Sequence, residues 1–584
     1  MMTGTKAGIL ATAMAVAMGT GLLTACDRQR DPAPVAATTS EQRTPAADLV
    51  IRNARIYTQN PEQPEASSVA VVDGAIVAVG DDAATAMFVA DSTRVIDAEQ
   101  GMLLPGLHDA HVHPLSSGAA LLGCSLSDAA SEEAILQGLQ ACATDTADDE
   151  WLVGLDFNLG LFPNGNPNKA SLDALFPERP VYLAAADGHS AWVNSRALAL
   201  AGITADTPNP PQGVIERDPA TGEATGTLRE TAQALVSDLL PETAPEDDIA
   251  ALRAAVAFMH SKGITSFIDA AVGEQHWRAY RSLAAAGDLR ARVRTSLTHG
   301  TFSQHPGDEF DAVLARRGEY AGEQVNTDAV KLFVDGVLEG ETAALVTPYL
   351  GDDPHRGEIN FDPEELKDIV TRLDAMGLQV HVHAIGDRGV RIALDAFEAA
   401  RARNGERDNR HHIAHLQLVH PEDIPRFAEL NVSTTFQALW AYPDSYITEI
   451  NLPAVGAERV DRMYPVRSLQ RAGARIVGGS DWSVSSVNPL DAIETALRRQ
   501  DPDSIVEGTL NAAESVTLGT MLAAYTRNAA WLMHQEDTVG SIEVGKRADL
   551  VMLDRDLYRI PVEDINTTAV RMTLFDGEVV YQAR

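Results

Sequence analysis

The 584-residue sequence has few cysteines, few lysines and only one long hydrophobic run. Three cysteines are too few for a fold built on disulfides. Acidic side chains outnumber basic ones by 83 to 46, and the formal charge of −37 disfavours nucleic acid and anionic lipid surfaces as partners. Beyond residue 25, no run reaches the roughly 20 apolar residues that a membrane-spanning helix requires. The composition therefore indicates a globular protein with one large domain and a smaller one.

The first 47 residues differ in composition from the rest of the chain. A charged start and an apolar run end at Leu-Thr-Ala-Cys26, which predicts a signal peptide over residues 1–25. This ending resembles the bacterial lipobox, so we expect Cys26 to carry lipid that anchors the mature chain to a membrane. Residues 26–47 predict a flexible tether. We therefore expect a periplasm-facing lipoprotein of the bacterial cell envelope, with Asp27 favouring the inner membrane. A soluble secreted protein is the alternative.

Two further cysteines, Cys124 and Cys142, remain in the mature chain. An even count in a compartment that permits disulfides favours a bridge between them. The closed loop would be short, and the bridge would stabilise the fold by roughly 3 kcal/mol in the chain-entropy description. Two buried free thiols are the alternative.

Short strands are predicted at both ends of the chain beyond the tether. The segments DLVIRNARIYT and SSVAVVDGAIVAVGD alternate apolar and polar residues, with a turn signal at Asp73-Gly74. Near the other end, VGSIEVGKRADLVMLD and MTLFDGEVVYQ follow the same pattern. We therefore expect residues 48–102 and 536–584 to form the two parts of one β-sandwich.

Between these ends, eight apolar runs alternate with longer helical patterns. The runs are LLPGLHDAHVH, ITSFIDA, RARVRTSLT, AVKLFVDG, LQVHVHAIG, HHIAHLQLV, NVSTTFQ and RIVGGSDW. This alternation predicts the α/β class and a (β/α)8 TIM-like barrel over residues 103–535. About 150 residues separate the first two runs, which is far more than one crossover needs. An inserted subdomain is therefore expected at about 116–255.

Side chains that bind metals lie near the ends of these runs. His111 and His113 are two residues apart, so on a strand they face the same side and can bind one ion together. His383 and His415 lie at the ends of the fifth and sixth runs, and Asp481 follows Gly-Gly-Ser at the end of the eighth. Because barrel active sites form where the strands end, these residues predict a metal centre. Three nearby histidines are alternative nitrogen donors: His381, His411 and His412.

Lys331 lies inside the apolar run AVKLFVDG, in a chain with only six lysines. Burial disfavours the ammonium form of lysine, and a neutral amine can react with carbon dioxide. The resulting carbamate can bridge two cations. An ion-paired lysine, or one that extends its charged end to solvent, is the alternative.

Taken in order, these motifs resemble the amidohydrolase superfamily. They are PGLHDAHVHP, AVKLFVDG, HVHAIGD, HHIAHLQL and GGSDWSV, followed by VGSIEVGKRADLVMLD. Within the insertion, DGHSAWVNS and TGTLRE make the chain similar to the branch that contains N-substituted formamide deformylases, the family 3 type. The resemblance spans residues 48 to 584. His108 departs from the pattern, at a position that is commonly apolar in the family.

The resemblance implies a barrel enzyme with one or two divalent ions, with zinc as the expected metal. It implies His111 and His113 as ligands of one ion and His383 and His415 as ligands of the other. Lys331, when carboxylated, is implied as a bridge between the ions, and Asp481 is implied as a further ligand. Asp481 is also implied as the general base, which takes a proton from a metal-bound hydroxide and returns it to the departing nitrogen.

These features predict a metal-dependent hydrolase of a carbon–nitrogen bond other than a peptide bond, in an amide, an N-acyl amine or an N-formyl amine. The alternatives are a lactone or ester hydrolase on the same centre and a non-catalytic binding lipoprotein of the envelope. His189, Trp192 and Asn194 are candidates for contacting the small-molecule substrate, with packing inside the insertion as the alternative. Trp440 and Trp482 are candidates for an apolar wall of the pocket. Homo-oligomerisation is left open.

Overall fold

The computed structural model describes residues 46–145, 147, 150–305, 307–352 and 354–584. The signal peptide predicted over residues 1–25 and the lipidation site predicted at Cys26 lie outside these residues, as does nearly all of the predicted tether. Within the described ranges, no helix is both long and apolar enough to cross a bilayer.

Eight parallel strands form the central sheet, and each strand pairs with the next one along the chain. Their bounds are Leu107–Val112, Ile264–Val272, Arg292–His299, Val325–Phe333, Gln379–Ala384, His412–His415, Ser433–Phe436 and Ile476–Gly478. Just beyond the eighth strand, the amide of Asp481 donates a hydrogen bond to the carbonyl of His111 at 2.7 Å. The sheet is therefore nearly closed, and the predicted (β/α)8 barrel is confirmed.

The main helices of the barrel follow its strands, and one precedes the second strand. They span Pro245–Ser261, Glu274–Ala285, Asp308–Ala315, Pro363–Ala375, Asp387–Asn404, Ile424–Glu429, Val466–Arg471, Pro489–Arg498, Leu518–Ala524 and Arg527–Leu532. Local sequence fixes where they begin: Asp362, for example, accepts hydrogen bonds from two amides of the first turn, and proline follows it. Apolar side chains of the helices and strands share one core.

A second sheet lies between the first and second barrel strands in the sequence. Its five strands, in spatial order, are Gly213–Arg217, Ala224–Glu230, Ser190–Val193, Val181–Ala185 and Leu152–Phe157. Helices accompany this sheet at Pro114–Leu122, Glu132–Cys142, Lys169–Leu175, Ser195–Leu200 and Ala234–Ser237. Cys124 and Cys142 form a disulfide with a Cα–Cα distance of 5.7 Å. The two thiols are therefore bridged, as the sequence favoured, and not free. We refer to this part of the chain as the insertion.

Both ends of the described chain contribute to two further sheets. One contains Ala75–Gly80, Ser68–Val72, Leu49–Arg52 and Arg94–Asp97. The other contains Glu578–Gln582, Val570–Phe575, Leu550–Leu553, Met102–Pro105, Arg55–Tyr57 and Glu65–Ala66. Leu49, Ile51, Leu550 and Leu574 belong to one buried cluster, so apolar residues from both chain ends pack together. This arrangement agrees with the predicted sandwich of both ends.

Candidate metal centre

Three ligand-type side chains from the first and last barrel strands meet at the C-terminal end of the barrel. Nε2 of His113 lies 2.9 Å from Oδ1 of Asp481, and Nε2 of His111 lies 3.3 Å from the same oxygen. One ligand atom from each residue lies within 4.8 Å of the others. Within the described part of the chain, this buried oxygen has no partner with hydrogen-bond geometry. Such a set fits a cation better than a hydrogen-bond network.

The turn after the eighth strand brings Asp481 close to the first strand. A Cβ atom on Gly479 would lie 2.8 Å from Cβ of His111, so only glycine permits this approach. Asp481 itself has a left-handed φ of +58°. Oδ1 of Asp109 accepts hydrogen bonds from the amides of His111, at 3.1 Å, and Ser480, at 3.0 Å. Asp109 therefore joins the two strands beneath the site.

The other three predicted ligands lie beside this group. Nδ1 of His415 lies 3.6 Å from Oδ2 of Asp481, and the ring centroids of His383 and His415 are 4.5 Å apart. Nζ of Lys331 lies 3.5 Å from Nε2 of His111. All of these side chains are buried. The structure therefore brings all six predicted metal-binding residues together at one end of the barrel.

Hydrogen bonds occupy one nitrogen on two of these imidazole rings and leave the other available. Nδ1 of His111 lies 2.9 Å from Nε2 of His381. The other nitrogen of His111, Nε2, therefore faces Asp481. Nε2 of His383 donates to the carbonyl of Gly336 at 3.1 Å, which leaves Nδ1 available. Metal-binding histidines commonly use their second nitrogen in this way. In the described residues, Nδ1 of His415 is buried without a partner, as expected for an unused ligand atom.

His381 and His412 form a second layer behind the ligands. Their rings stack at 4.0 Å, and Nδ1 of His381 lies 3.2 Å from Oγ of Ser296. His381 thus contacts the predicted ligand His111 through Nε2. His411, the third alternative donor, pairs with Asp374 at 3.1 Å on one of the barrel helices. It is not part of the site.

Burial changes the protonation of these groups. It lowers the pKa of Lys331 to about 7, although the charge of Asp481 acts in the opposite direction. Burial also lowers the pKa of His111 to about 3, so this ring is neutral, which is the form that binds metals. For Asp481, burial alone would raise the pKa, but its contacts with His111 and His113 hold it well below its usual value. The site thus combines neutral imidazoles, an ionised carboxylate and an amine that is readily deprotonated.

His189 extends from a hairpin of the insertion to this site. Its ring centroid lies 5.3 Å from that of His383. Nδ1 of His189 donates to Oε2 of Glu230 at 2.7 Å, and Oε1 of Glu230 accepts from Thr342 at 2.6 Å. Burial alone would lower the pKa of His189, but the negative charge of Glu230 more than offsets this and raises it to about 9.

Trp192 and Asn194, the other two candidates for substrate contact, lie in the core of the insertion. The Trp192 ring packs against Phe157 and Phe162, with centroids 6.0 and 5.2 Å apart. The amide oxygen of Asn194 accepts from Val181 at 3.1 Å and also caps a helix. Both side chains are fully buried. Packing, the alternative reading of these residues, accounts for their contacts.

The two candidate wall residues differ in position. The ring of Trp440 lies parallel to that of His415 at 5.6 Å, so Trp440 borders the predicted metal centre. Trp482 packs against Phe258 of a barrel helix at 5.3 Å. Of the two, Trp440 contacts a predicted ligand.

His108, the departure from the family pattern, is buried and does not join the ligand group. Its Nδ1 lies 3.1 Å from the carbonyl oxygen of Gly106. Burial lowers its pKa to about 4, so the ring is neutral. Nothing in its contacts assigns it a role in the site.

A cavity of about 640 Å³ opens beside Glu230 and Gly336, between the insertion and the segment after the fourth barrel strand. Its lining mixes polar and apolar side chains and includes Glu339 and Glu358. Gly336 borders this cavity and also contacts His383 through its carbonyl oxygen. The cavity therefore lies next to the candidate metal centre.

Two residues that hydrogen-bond to candidate site residues were not singled out from the sequence. Asp109 lies within the HDAHVH motif, two positions before His111, and this same-face spacing is a usable signal. Glu230 ends the TGTLRE motif, but its partner His189 is 41 residues away in the chain. Only the pairing of strands in the insertion brings the two together.

Comparison with known proteins shows the family of the chain. A profile described as "Amidohydrolase family" matches residues 94–581. Protein LONG AFTER FAR-RED 3 of Arabidopsis thaliana is 30% identical over 92% of this chain and 92% of its own. N-substituted formamide deformylase of Arthrobacter pascens is 28% identical over 92% of this chain and 99% of its own.

A solved structure also matches nearly the whole fold. The crystal structure of an uncharacterised metal-dependent hydrolase from Pyrococcus horikoshii has a TM-score of 0.69 and 24% identity, and the match covers 88% of this chain and 99% of that one. This structure shows the shared fold, and the profile match over most of the chain identifies the chain as a metal-dependent amidohydrolase by class. It belongs to the amidohydrolase family.

Proposed function

We propose that this chain hydrolyses a carbon–nitrogen bond other than a peptide bond, in an amide, an N-acyl amine or an N-formyl amine. One observation carries the proposal: His111, His113 and Asp481 each place a ligand atom within 4.8 Å of the others at the end of the barrel. A buried carboxylate oxygen without a hydrogen-bond partner among the described residues supports binding of a cation there.

The ligand set fits a divalent ion, and we infer zinc. Imidazole nitrogen and carboxylate oxygen are ligands that zinc accepts. We infer that His111, His113 and Asp481 hold one ion and that His383 and His415 hold a second. When bound, such an ion lowers the pKa of water to about 7 and polarises a carbonyl group.

We further infer that Lys331 bridges the two positions as a carbamate. Its Nζ lies 3.5 Å from Nε2 of His111, inside the buried group. A pKa near 7 leaves a substantial fraction of the amine neutral at neutral pH, and the neutral amine is the form that reacts with carbon dioxide. Carboxylation would supply two oxygen ligands where the unmodified side chain supplies none.

Asp481 is the proposed general base. Its two oxygens lie 2.9 Å from Nε2 of His113 and 3.6 Å from Nδ1 of His415, so the carboxylate lies at the centre of the ligand group. An ionised carboxylate there can take a proton from the attacking water and return it to the leaving nitrogen. Water adds across the carbon–nitrogen bond, and the products are a carboxylic acid and an amine.

The relative with the name N-substituted formamide deformylase supports N-formyl amines as the first substrates to try.

We also propose that the protein is a periplasm-facing lipoprotein anchored through Cys26. The Cys124–Cys142 disulfide supports an oxidising compartment, since such bonds persist there.

A substrate panel tests the proposed reaction. The full chain, with its metal content measured, is incubated with N-formyl amines, N-acyl amines, lactones and simple esters. We expect release of free amine that stops when a chelator removes the metal and returns when zinc is added. Turnover of lactones or esters alone would assign the site to the alternative reaction. Full metal loading without any turnover would favour a binding protein.

A further inference from the structure

Gln437 follows the seventh barrel strand, Ser433–Phe436, at the end of the barrel where the predicted ligands lie. Its side chain is buried, with the residue 1% exposed, and neither Oε1 nor Nε2 has a hydrogen-bond partner among the residues that the structure describes. A buried carboxamide without partners is costly, because both of its ends have lost their contacts with water. This cost indicates that the group serves to bind a ligand.

The direction of the Gln437 side chain follows from the alternation along its strand. Phe436 belongs to the core that the strands share with the barrel helices. Oγ1 of Thr435 lies 2.9 Å from Nδ1 of His412, which stacks on His381 behind the predicted ligands. Because neighbouring positions of a strand face opposite sides, Gln437 faces the same side as Thr435. The carboxamide is therefore directed into the barrel, beyond Thr435 toward the C-terminal end.

The backbone of Gln437 lies between the two strands that carry His415 and Asp481 to the site. The seventh strand pairs on one side with the sixth, which ends at His415. On the other side it pairs with the eighth, which leads into the turn that carries Asp481. The carbonyl of Gln437 accepts a hydrogen bond from the amide of Trp440 at 3.0 Å, and the Trp440 ring lies parallel to that of His415. The carboxamide is thus held beside the candidate metal centre.

An uncharged carboxamide recognises its ligand by hydrogen bonds alone. It offers an acceptor, Oε1, and a donor group, Nε2. The proposed function assigns the carbonyl oxygen of the substrate to the metal centre, but it assigns no acceptor to the N–H of the same amide. The acceptor end of Gln437 supplies that missing contact. It is also the end that distinguishes an amide, which carries N–H, from an ester, which carries acceptors only.

We propose that Gln437 is a substrate-binding residue whose Oε1 accepts a hydrogen bond from the N–H of the scissile amide. The proposal rests on the proposed function and narrows its substrate class to amides with hydrogen on the scissile nitrogen. Tertiary amides and esters leave Oε1 without a partner, and a buried polar group without a partner opposes their binding. Gln437 transfers no proton in this role, and proton transfer remains with Asp481.

Gln437→Met tests this contact, because it keeps the length of the side chain and removes both polar ends. Three probes of similar size are compared: N-butylformamide, N-butyl-N-methylformamide and butyl formate. We expect kcat/KM for N-butylformamide to fall by roughly 10- to 100-fold in the variant, since its N–H is then buried without a partner. The values for the other two probes should change little. Ratios between probes, taken on one preparation, are independent of the fraction of protein that is folded.

Gln379→Met is the matched control. Gln379 is also a buried glutamine, but it begins the fifth barrel strand, where its Nε2 donates to the carbonyls of Arg410, at 2.7 Å, and Leu532, at 2.9 Å. We expect this variant to keep the wild-type ratio between the probes. Equal losses for amide and ester in Gln437→Met would overturn the proposal, because they would place the contact at the carbonyl oxygen. Loss of bound metal from Gln437→Met, or an altered ratio in the control, would also overturn it.

Binding without turnover separates this proposal from the proposed reaction. Calorimetry measures the affinities of N-butylformamide and N-butyl-N-methylformamide for metal-loaded Asp481→Asn, with and without Gln437→Met. We expect Gln437→Met to weaken binding of the secondary amide by roughly 10- to 100-fold and to leave the tertiary amide unchanged. If the wild type hydrolyses no amide but this difference is observed, the proposed function fails and the contact stands. Equal effects on the two formamides would contradict the contact.

Discussion

At the scale of single residues, the proposed metal centre depends on which nitrogen each imidazole has available for a metal ion. His111 contacts His381 through Nδ1, and His383 contacts a backbone carbonyl through Nε2. These contacts fix ring orientation before a metal binds, which reduces the loss of conformational freedom on binding. Residues behind the ligands should therefore influence metal affinity.

His381→Phe tests this second layer. The change keeps an aromatic ring but removes the contact with His111, so we expect metal affinity to fall by about 10–100-fold. Competition with a chelator of known affinity measures it. His411→Phe is the control, because His411 pairs with Asp374 outside the site. Equal losses in both variants would mean that the effect comes from stability alone.

Lys331→Ala tests the proposed bridge. Removing the amine should cost one of two metal ions, and short carboxylic acids added to the solution should partly restore activity by filling the gap. Elemental analysis gives the metal count, and turnover is followed with and without acetate. If Lys331→Ala keeps full metal and full activity, there is no bridge.

At the scale of elements, the sequence was informative wherever the pattern was regular. Eight apolar runs identified the eight barrel strands, because buried parallel strands are continuously apolar. The site residues on those strands followed from their place near strand ends. Pairing across the insertion could not be predicted in this way. Glu230 meets His189 because two antiparallel strands align Ser190 with Arg229, and that register is not visible in the sequence.

Asn194 and Trp192 show a second limit of sequence reasoning. They share one motif with His189, yet only His189 faces the barrel. Along a strand, neighbouring residues point to opposite faces, and the face that meets the barrel is set by how the insertion docks. Motif membership identified the segment but not the residue.

Gly479→Ala tests the contact between the first and eighth strands. An added Cβ atom would lie 2.8 Å from the amide nitrogen of His111, so the turn that carries Asp481 should move away. We expect weaker metal binding and a lower melting temperature, followed by calorimetry. Gly318→Ala is the control, since its Cβ would meet nothing within 4 Å. Unchanged metal affinity in Gly479→Ala would show that this close approach is not required.

At the scale of the whole molecule, composition narrows the kind of partner that we expect but does not identify it. A formal charge of −37 disfavours nucleic acid and anionic lipid surfaces, and it leaves small molecules as the expected partners. We expect substrate choice to depend on the loops and the insertion around the C-terminal end of the barrel. Their geometry is set by how the insertion packs against the barrel. The class of reaction was therefore easier to predict than the substrate.

The envelope location is tested on the full chain in a bacterial host. Cys26→Ala should abolish incorporation of labelled palmitate, because lipidation requires the thiol that follows Leu-Thr-Ala. The Cys124→Ser variant is the control and should still incorporate label. Incorporation that persists in Cys26→Ala would contradict the predicted anchor. Fractionation of the wild type then distinguishes inner from outer membrane.

The central claim is that the metal centre and Asp481 together hydrolyse a carbon–nitrogen bond. Asp481→Asn keeps the size of the side chain and one oxygen while it removes the base. The most direct measurement is metal content and amine release, determined on the same preparation of this variant and the wild type. We predict retained metal, with turnover lower by about 10²–10⁴-fold, the usual contribution of a positioned acid–base group. Normal turnover by Asp481→Asn would contradict the account.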